Sequence, residues 1–230
     1  MKPIVHDLFC GLGGWAEGFL SEGYECIGYD IEKHDYGTGT YPGTLILCDV
    51  RSIHGSQCKD AAVIVASPPC QAYSYRAMPW KRAKALPPPD NTLFNECFRI
   101  QREASEAAGH YIPLIVENVR GAQKWVGRSR WNYGSYHLWG DVPALMPLAV
   151  SGIKRPGMDW KPPGHPKHQT GAAFNSPPAA GRKGVGSGAE WWQNNSKQSS
   201  KSTQRREWSA RIAMIPEPLA RWIGRVYLPQ

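Results

Sequence analysis

Cys70 and Glu117 are the side chains best placed to do chemistry, a thiol and a carboxylate each delivered by an apolar run that then has to stop. Ala62-Val-Ile-Val-Ala66 has the pattern of a buried strand, and the prolines of Ser67-Pro-Pro-Cys70 cannot continue a sheet ladder. Cys70 is therefore expected at the carboxyl end of a strand, where open α/β sheets bind their ligands. Tyr111-Ile-Pro-Leu-Ile-Val116 delivers Glu117 in the same way. A carboxylate at the tip of an apolar strand is costly to bury alone, so Arg120 or a ligand should satisfy it. Taken singly, Cys70 also fits the plainer role of a small buried hydrophobe.

A second set of groups lies upstream. Pro3 to Phe9 reads as a strand, Cys10-Gly-Leu-Gly-Gly14 as a tight turn and Trp15 to Ser21 as a helix. Glycines there let the backbone approach a ligand at a helix N-terminus. The strand Tyr24–Tyr29 ends on Asp30, where nucleoside-binding α/β units bond ribose hydroxyls, and Thr44–Cys48 runs into Asp49. A glycine turn followed by two strand-end acids describes an adenosine pocket. The absence of the full GxGxxG spacing speaks against a pyrophosphate. Either acid alone would also serve as an ordinary turn residue.

Between these sets, 72–90 is a long loop in which Tyr73, Tyr75 and Trp80 alternate with Arg76, Lys81, Arg82 and Lys84, a mixture suited to phosphate contacts and base stacking. Leu93, Phe94, Cys97, Phe98 and Gln101 then recur at helical spacing. They predict an amphipathic helix over 92–108, started by Asp90 or Asn91, with its aromatics in the core. The 230 residues carry 27 Lys and Arg against 19 Asp and Glu, a formal charge of +8 that favours a polyanionic partner. The six cysteines, Cys10, Cys26, Cys48, Cys58, Cys70 and Cys97, form no CxxC pair and read as reduced. With no signal-peptide run and no apolar stretch of membrane-spanning length, a cytoplasmic monomer with no membrane partner is expected. His165 and His168 lack companion ligands, so no metal site is expected.

In their order along the chain, Asp7-Leu-Phe-Cys-Gly-Leu-Gly-Gly14, Ser67-Pro-Pro-Cys-Gln71 and Glu117-Asn-Val119 resemble the motifs of the DNA cytosine C5 methyltransferase family. The resemblance implies an α/β, Rossmann-like S-adenosylmethionine-dependent methyltransferase fold acting in DNA modification, as in restriction-modification systems. It implies S-adenosyl-L-methionine as cofactor, bound by Phe9, Gly11, Leu12, Gly13, Gly14 and Pro69, with Asp30 on the ribose, Ile31 beside the adenine and Asp49 and Val50 along its edge. It assigns Cys70 as nucleophile and Glu117 as acid, on a cytosine flipped out of double-stranded DNA. Gln71, Ser74 and Arg76 would then meet the nucleic acid.

The likeness thins after Glu117. The family's Gln-x-Arg-x-Arg element is replaced by Ser135-Tyr-His-Leu-Trp-Gly140, leaving Arg128 and Arg130 as candidate substitutes, and Ala213 stands where the last motif carries asparagine. Residues 151–208 hold ten Lys and Arg against three acids, with eight glycines and six prolines. This stretch is expected to be a small irregular basic lobe or a linker, with Arg182 and Lys183 among its nucleic-acid contacts. The expected organisation is a catalytic and cofactor-binding domain over 1–150, the lobe over 151–208 and a returning C-terminal helix within 209–230. Methylation of RNA cytosine and a catalytically silent DNA-binding relative are the alternative readings.

Overall fold

The computed structural model describes residues 2–36, 40–74, 85–146, 206, 210, 211 and 213–229. Seven strands form one sheet in the order β3-β2-β1-β4-β5-β7-β6. They are β1 (Ile4–Leu8), β2 (Glu25–Asp30), β3 (Thr44–Leu47), β4 (Ala61–Ala66), β5 (Leu114–Asn118), β6 (Trp131–Tyr133) and β7 (Tyr136–Gly140). The first five are parallel, while β7 runs antiparallel to both β5 and β6. This is a doubly wound, Rossmann-like α/β fold. The chain builds outward from β1 through β2 to β3, then returns to place β4 and β5 on β1's other side. That reversal opens a crevice beyond the carboxyl ends of β1 and β4.

The sheet is buried on both faces, so β4 reads as an unbroken apolar run, yet its residues alternate between two cores. Val63 and Val65 pack with Trp15, Phe19 and Ile223; Ile64 and Ala66 pack with Phe94, Cys97 and Ile100. The first core is closed by α1 (Gly14–Ser21) and the second by α2 (Thr92–Ala108). Asn91 is the N-cap of α2 but makes no side-chain cap bond; Asp90, one residue earlier, accepts hydrogen bonds from the Thr92 amide and hydroxyl at 2.8 and 2.6 Å. The core face of α2 is Phe94, Cys97, Ile100 and Ala104. Phe98, expected in the core, is 36% exposed, and Leu93 faces the crevice. Taking both aromatics as core sets the apolar stripe too wide.

A short helix, α3 (Gln123–Val126), and the β6–β7 hairpin follow β5. In the sequence this stretch stands out only as a missing motif. Trp131, Tyr133, Tyr136 and Leu138 do alternate about Gly134-Ser135, and Gly134 has φ +60°, which the first position of a type II′ turn requires.

The C-terminal helix α4 (Glu217–Val226) lies on α1. Glu22 accepts from Arg221 at 3.0 Å and from Arg225 at 2.9 Å, and the Tyr24 hydroxyl donates to the Gly224 carbonyl at 2.9 Å. Small residues let the backbones meet. A Cβ at Gly14 would lie 2.4 Å from the Ile215 nitrogen, and one at Gly18 would lie 2.3 Å from the Ala220 Cβ. Among the described residues, no helix is long and apolar enough to cross a membrane.

Two polar side chains of β1 are buried. His6 lies between the Tyr29 hydroxyl at 3.0 Å and the Asp60 carboxylate at 3.1 Å, with its pKa lowered because burial outweighs Asp60. Asp7 is fully buried, and neither of its oxygens accepts a hydrogen bond, although the similarly unpartnered Tyr41 hydroxyl lies nearby. Burial first, and the Asp30 charge second, push the Asp7 pKa well up against a smaller lowering from the Tyr41 hydroxyl, which favours the neutral acid in the folded state. The unfolded chain ionises this group from about pH 4 upward while the raised native pKa delays ionisation to higher pH, so its contribution to stability is lost as pH rises. In thermal melts, the Tm of Asp7→Asn relative to wild type should therefore climb between pH 4 and pH 8. A difference constant across that range would show that Asp7 is not held neutral.

Candidate active site

One cleft of about 810 Å³ lies over the carboxyl ends of the parallel strands. Phe9, Gly11, Leu12 and Gly14 line it from the β1–α1 turn, with Asp30 and Ile31 from β2 and Asp49 and Val50 after β3. Pro69, Cys70 and Gln71 after β4 and Glu117 at the end of β5 complete that wall. Gly13 sits behind the lining as the N-cap of α1, its amide bonded to the Cys10 carbonyl at 2.8 Å. Ser74, Arg128 and Arg130 are exposed and lie outside the cleft. Arg76, Arg182, Lys183 and all of the basic stretch 151–208 except Arg206 fall outside the described residues.

The β1–α1 turn is strained where it meets the cleft. Phe9 has φ +58°, an uncommon conformation for a bulky residue, held because Cys10 N–H donates to the Tyr29 carbonyl at 3.1 Å. Asp30 is fixed by the same turn. Its Oδ2 accepts from the Gly11 amide at 2.9 Å; its Oδ1 accepts from the Glu32 amide at 3.1 Å and lies 3.5 Å from His34 Nε2. Burial opposes its charge, but the bonds from His34, Gly11 and Glu32 outweigh it and hold the Asp30 pKa down. His34 is in turn raised, chiefly by its bond to Asp30. Asp49 is committed more fully than its place at a strand end suggests. It caps the turn Val50–Ser52 through the Arg51 amide and grips the Arg51 guanidinium, which lowers its pKa to about 2.

The loop that carries Cys70 is anchored along its length. Ser67 N–H donates to the Leu8 carbonyl at 3.1 Å, and Trp15 Nε1–H donates to the Ser67 hydroxyl at 3.0 Å. Asn118 Nδ2–H donates to the Pro68 carbonyl at 2.9 Å, and the Tyr73 amide donates to the Cys70 carbonyl at 3.0 Å. The Tyr73 hydroxyl is bonded to Asn91 at 2.8 Å, just ahead of α2. Cys70 is half-buried and is not in a disulfide, while Glu117 is buried, 7% exposed. A buried acid and a cysteine therefore share one cavity, a pairing suited to nucleophilic addition with acid assistance.

Several lining residues are not singled out by the sequence: Trp15, His34, Arg51, Arg206 and Met214. Arg206 pairs with Glu32 across the opening. His34 sits four residues beyond Asp30, a spacing that could have signalled the pair. Nothing local marks Met214, whereas Ile215 opens the stretch Ile215-Pro-Glu-Pro-Leu-Ala220 that resembles the family's last motif; both reach the cleft through the docking of α4. Among the described residues, no group of three or more His, Cys, Asp or Glu could hold a metal ion.

Residues 4–129, more than half of the chain, match the family model described as C-5 cytosine-specific DNA methylase. A curated relative, the Type II methyltransferase M.AplI of Arthrospira platensis, is 35% identical over 124 residues, covering 51% of this chain and 32% of that protein. The chain thus spans about a third of the length of that relative. Among solved structures, a prophage-encoded DNA modification methyltransferase from E. coli aligns at 22% identity and a TM-score of 0.38, over 54% of this chain and 34% of that one. The Dnmt2 methyltransferase of S. pombe aligns at 14% identity and a TM-score of 0.38, over 54% of this chain and 36% of that one. On the family match, this chain is a member of the C-5 cytosine-specific DNA methylases.

Proposed function

We propose that the chain is an S-adenosylmethionine-dependent methyltransferase that methylates C5 of a cytosine flipped out of double-stranded DNA, through a covalent bond from Cys70 to C6. The observation that carries this reading is the meeting of Cys70 and Glu117 with the β1–α1 turn and Asp30 in one cleft, in a chain of this family. The residues suit the cofactor. Asp30 is held ionised by three contacts, the longest of them to His34, which a ribose hydroxyl can replace. The volume of the cleft is ample for a nucleoside beside a base. Phe9, Leu12, Gly14 and Ile31 offer it an apolar wall, and Val50 and Pro69 complete that surface.

C5 of cytosine is a weak nucleophile, and Cys70 changes that. Its thiolate adds to C6 and the ring electrons move to C5, while Glu117 bonds N3 and the exocyclic amine, where negative charge would otherwise accumulate. S-adenosylmethionine, when bound, supplies an electrophilic methyl group to C5. Loss of the C5 proton then re-forms the 5,6 double bond and expels the Cys70 thiolate. The base must leave the stack first, because C6 is shielded in a duplex. Gln71, exposed beside Cys70, is suited to the strand, and exposed Arg128 and Arg130 suit phosphates better than base edges. The reduced thiol that this chemistry needs fits a cytoplasmic protein.

Three measurements test the reading. With a duplex containing 5-fluorocytosine, wild type should form an adduct that survives denaturation and needs S-adenosylmethionine for stable trapping. Cys70→Ala should form none, and Glu117→Gln should form it far more slowly, with cofactor affinity little changed in both. An adduct formed only with a matched RNA would move the substrate to RNA, and none at all, in protein shown to bind both cofactor and DNA, would favour a silent binder. Asp30→Ala should weaken cofactor binding by about 1–3 kcal/mol in a calorimetric titration; an unchanged affinity removes Asp30 from the pocket. Neutralising Arg128, Arg130, Arg182 or Lys183 should lower the slope of log affinity against log salt by about 0.9 for each phosphate left without its cation.

A further inference from the structure

Trp15 touches both halves of the cleft. It is the second residue of α1, directly after the glycine turn, and it is 2% exposed, packed edge-on to Phe19 in the core. Its ring nitrogen reaches out of that core to the Ser67 hydroxyl, 52 residues away, at the start of the loop that carries Cys70. Trp15 and Ser67 both line the cleft. A buried indole N–H normally finds a partner, but an apolar residue would fill the same core without needing one. What tryptophan adds here is a directed tether between the β1–α1 turn and the nucleophile loop. The loop's other anchors come from elsewhere: the backbone of β1, Asn118 on β5 and Asn91 ahead of α2.

We propose that Trp15 is a positioning residue for Cys70, acting through its hydrogen bond to Ser67, so that the cofactor side of the cleft and the nucleophile loop move as one unit. The inference rests on Cys70 being the nucleophile of the proposed reaction. A small shift of α1 or of its glycine turn is carried to Ser67, three residues before Cys70, through one bond of 3.0 Å. Prolines 68 and 69 stiffen the intervening chain, so rotation at Ser67 is passed on to the thiol. Misplacing a reacting atom is costly, because a well-held near-attack geometry supplies much of the rate.

The test uses Ser67→Ala, which removes the accepting hydroxyl, with Trp15→Phe, which keeps an aromatic ring against Phe19 but removes the second ring of the indole along with the donor, and the double variant. The first readout needs no DNA. The full-length protein is treated with iodoacetamide and each cysteine is followed by mass spectrometry. Both single variants should speed alkylation of Cys70 by about threefold to tenfold, the factor set by losing one neutral hydrogen bond. Cys58 and Cys97, each 0% exposed, should stay unreacted and so report an intact fold. The double variant should react no faster than either single one, since both remove the same bond. The second readout is single-turnover methyl transfer, which should slow in both variants while affinity for S-adenosylhomocysteine stays within about threefold of wild type.

Unchanged Cys70 alkylation in Trp15→Phe, or effects of the two substitutions that multiply, would overturn the proposal. So would alkylation of Cys58 and Cys97 in step with Cys70, because Trp15 would then be holding up the core. A wild type without methyl transfer would instead overturn the proposed function, and the alkylation pattern would still decide whether Trp15 holds the loop.

Discussion

The geometry of the cleft depends on how β1 and β4 lie side by side. Leu8 pairs with Ala66 at the last rung, and the Ser67 amide closes one further bond onto the Leu8 carbonyl before the two chains part. Phe9 turns one way at positive φ, and Ser67 turns the other way into two prolines. Because side chains alternate along a strand, a slip of one residue here would exchange the two cores and carry Cys70 off the crevice. The sheet absorbs its one irregularity at the far end, where Ile4 pairs with Ala61 but Val5 with Val63. The bulge costs the site nothing and lets Val63 and Val65 share a core with Trp15.

Electrostatics divides the acids near that rim. Asp7 and Asp30 are close enough for the charge of one to raise the other, and a buried site holds two carboxylates cheaply only if one stays protonated. The environment decides which. Asp30, at the mouth, collects two backbone amides and His34, which hold its pKa down, whereas Asp7, fully buried, is pushed toward the neutral form by burial and by the Asp30 charge. A carboxylate is thus presented to the cleft by the backbone of the turn that shapes it. In a chain of formal charge +8, Asp30 and Asp49 are rim acids whose charge the local structure favours.

Most of the sheet and much of the lining were legible because each depends on neighbours in sequence. An apolar run ended by Ser67-Pro-Pro announces a strand and its stop; glycines 11, 13 and 14 announce a turn; an acid after a strand announces its tip. What stayed hidden depends on residues far apart. The commitment of Asp49 to Arg51 was written two residues away but competes with the ligand role its position suggests. The Trp15 to Ser67 bond spans 52 residues, and nothing in Gly-Gly-Trp-Ala says where an indole nitrogen points. The surplus of Phe98 over the core face of α2 is a question of a few tens of degrees of helix rotation, which spacing alone resolves poorly.

The docking of α4 shows how the end of the chain becomes part of a site built from its beginning. Glycines at 14 and 18 clear a track along α1, the Glu22 carboxylate holds Arg221 and Arg225 beside it, and Ile215 and Leu219 enter the core that contains Trp15 and Phe19. Met214 and Ile215 thereby reach the cleft, and the Met214 carbonyl accepts a hydrogen bond from the Tyr136 hydroxyl on β7. Ala213, where the family's last motif carries asparagine, also lines the cleft but offers no side-chain polar group. Among the described residues of this edge that line the cleft, Arg206 carries a polar side chain, and its guanidinium is engaged by Glu32. The described apolar residues of this wall, Ala210, Ala213, Met214 and Ile215, thus contribute through shape and packing.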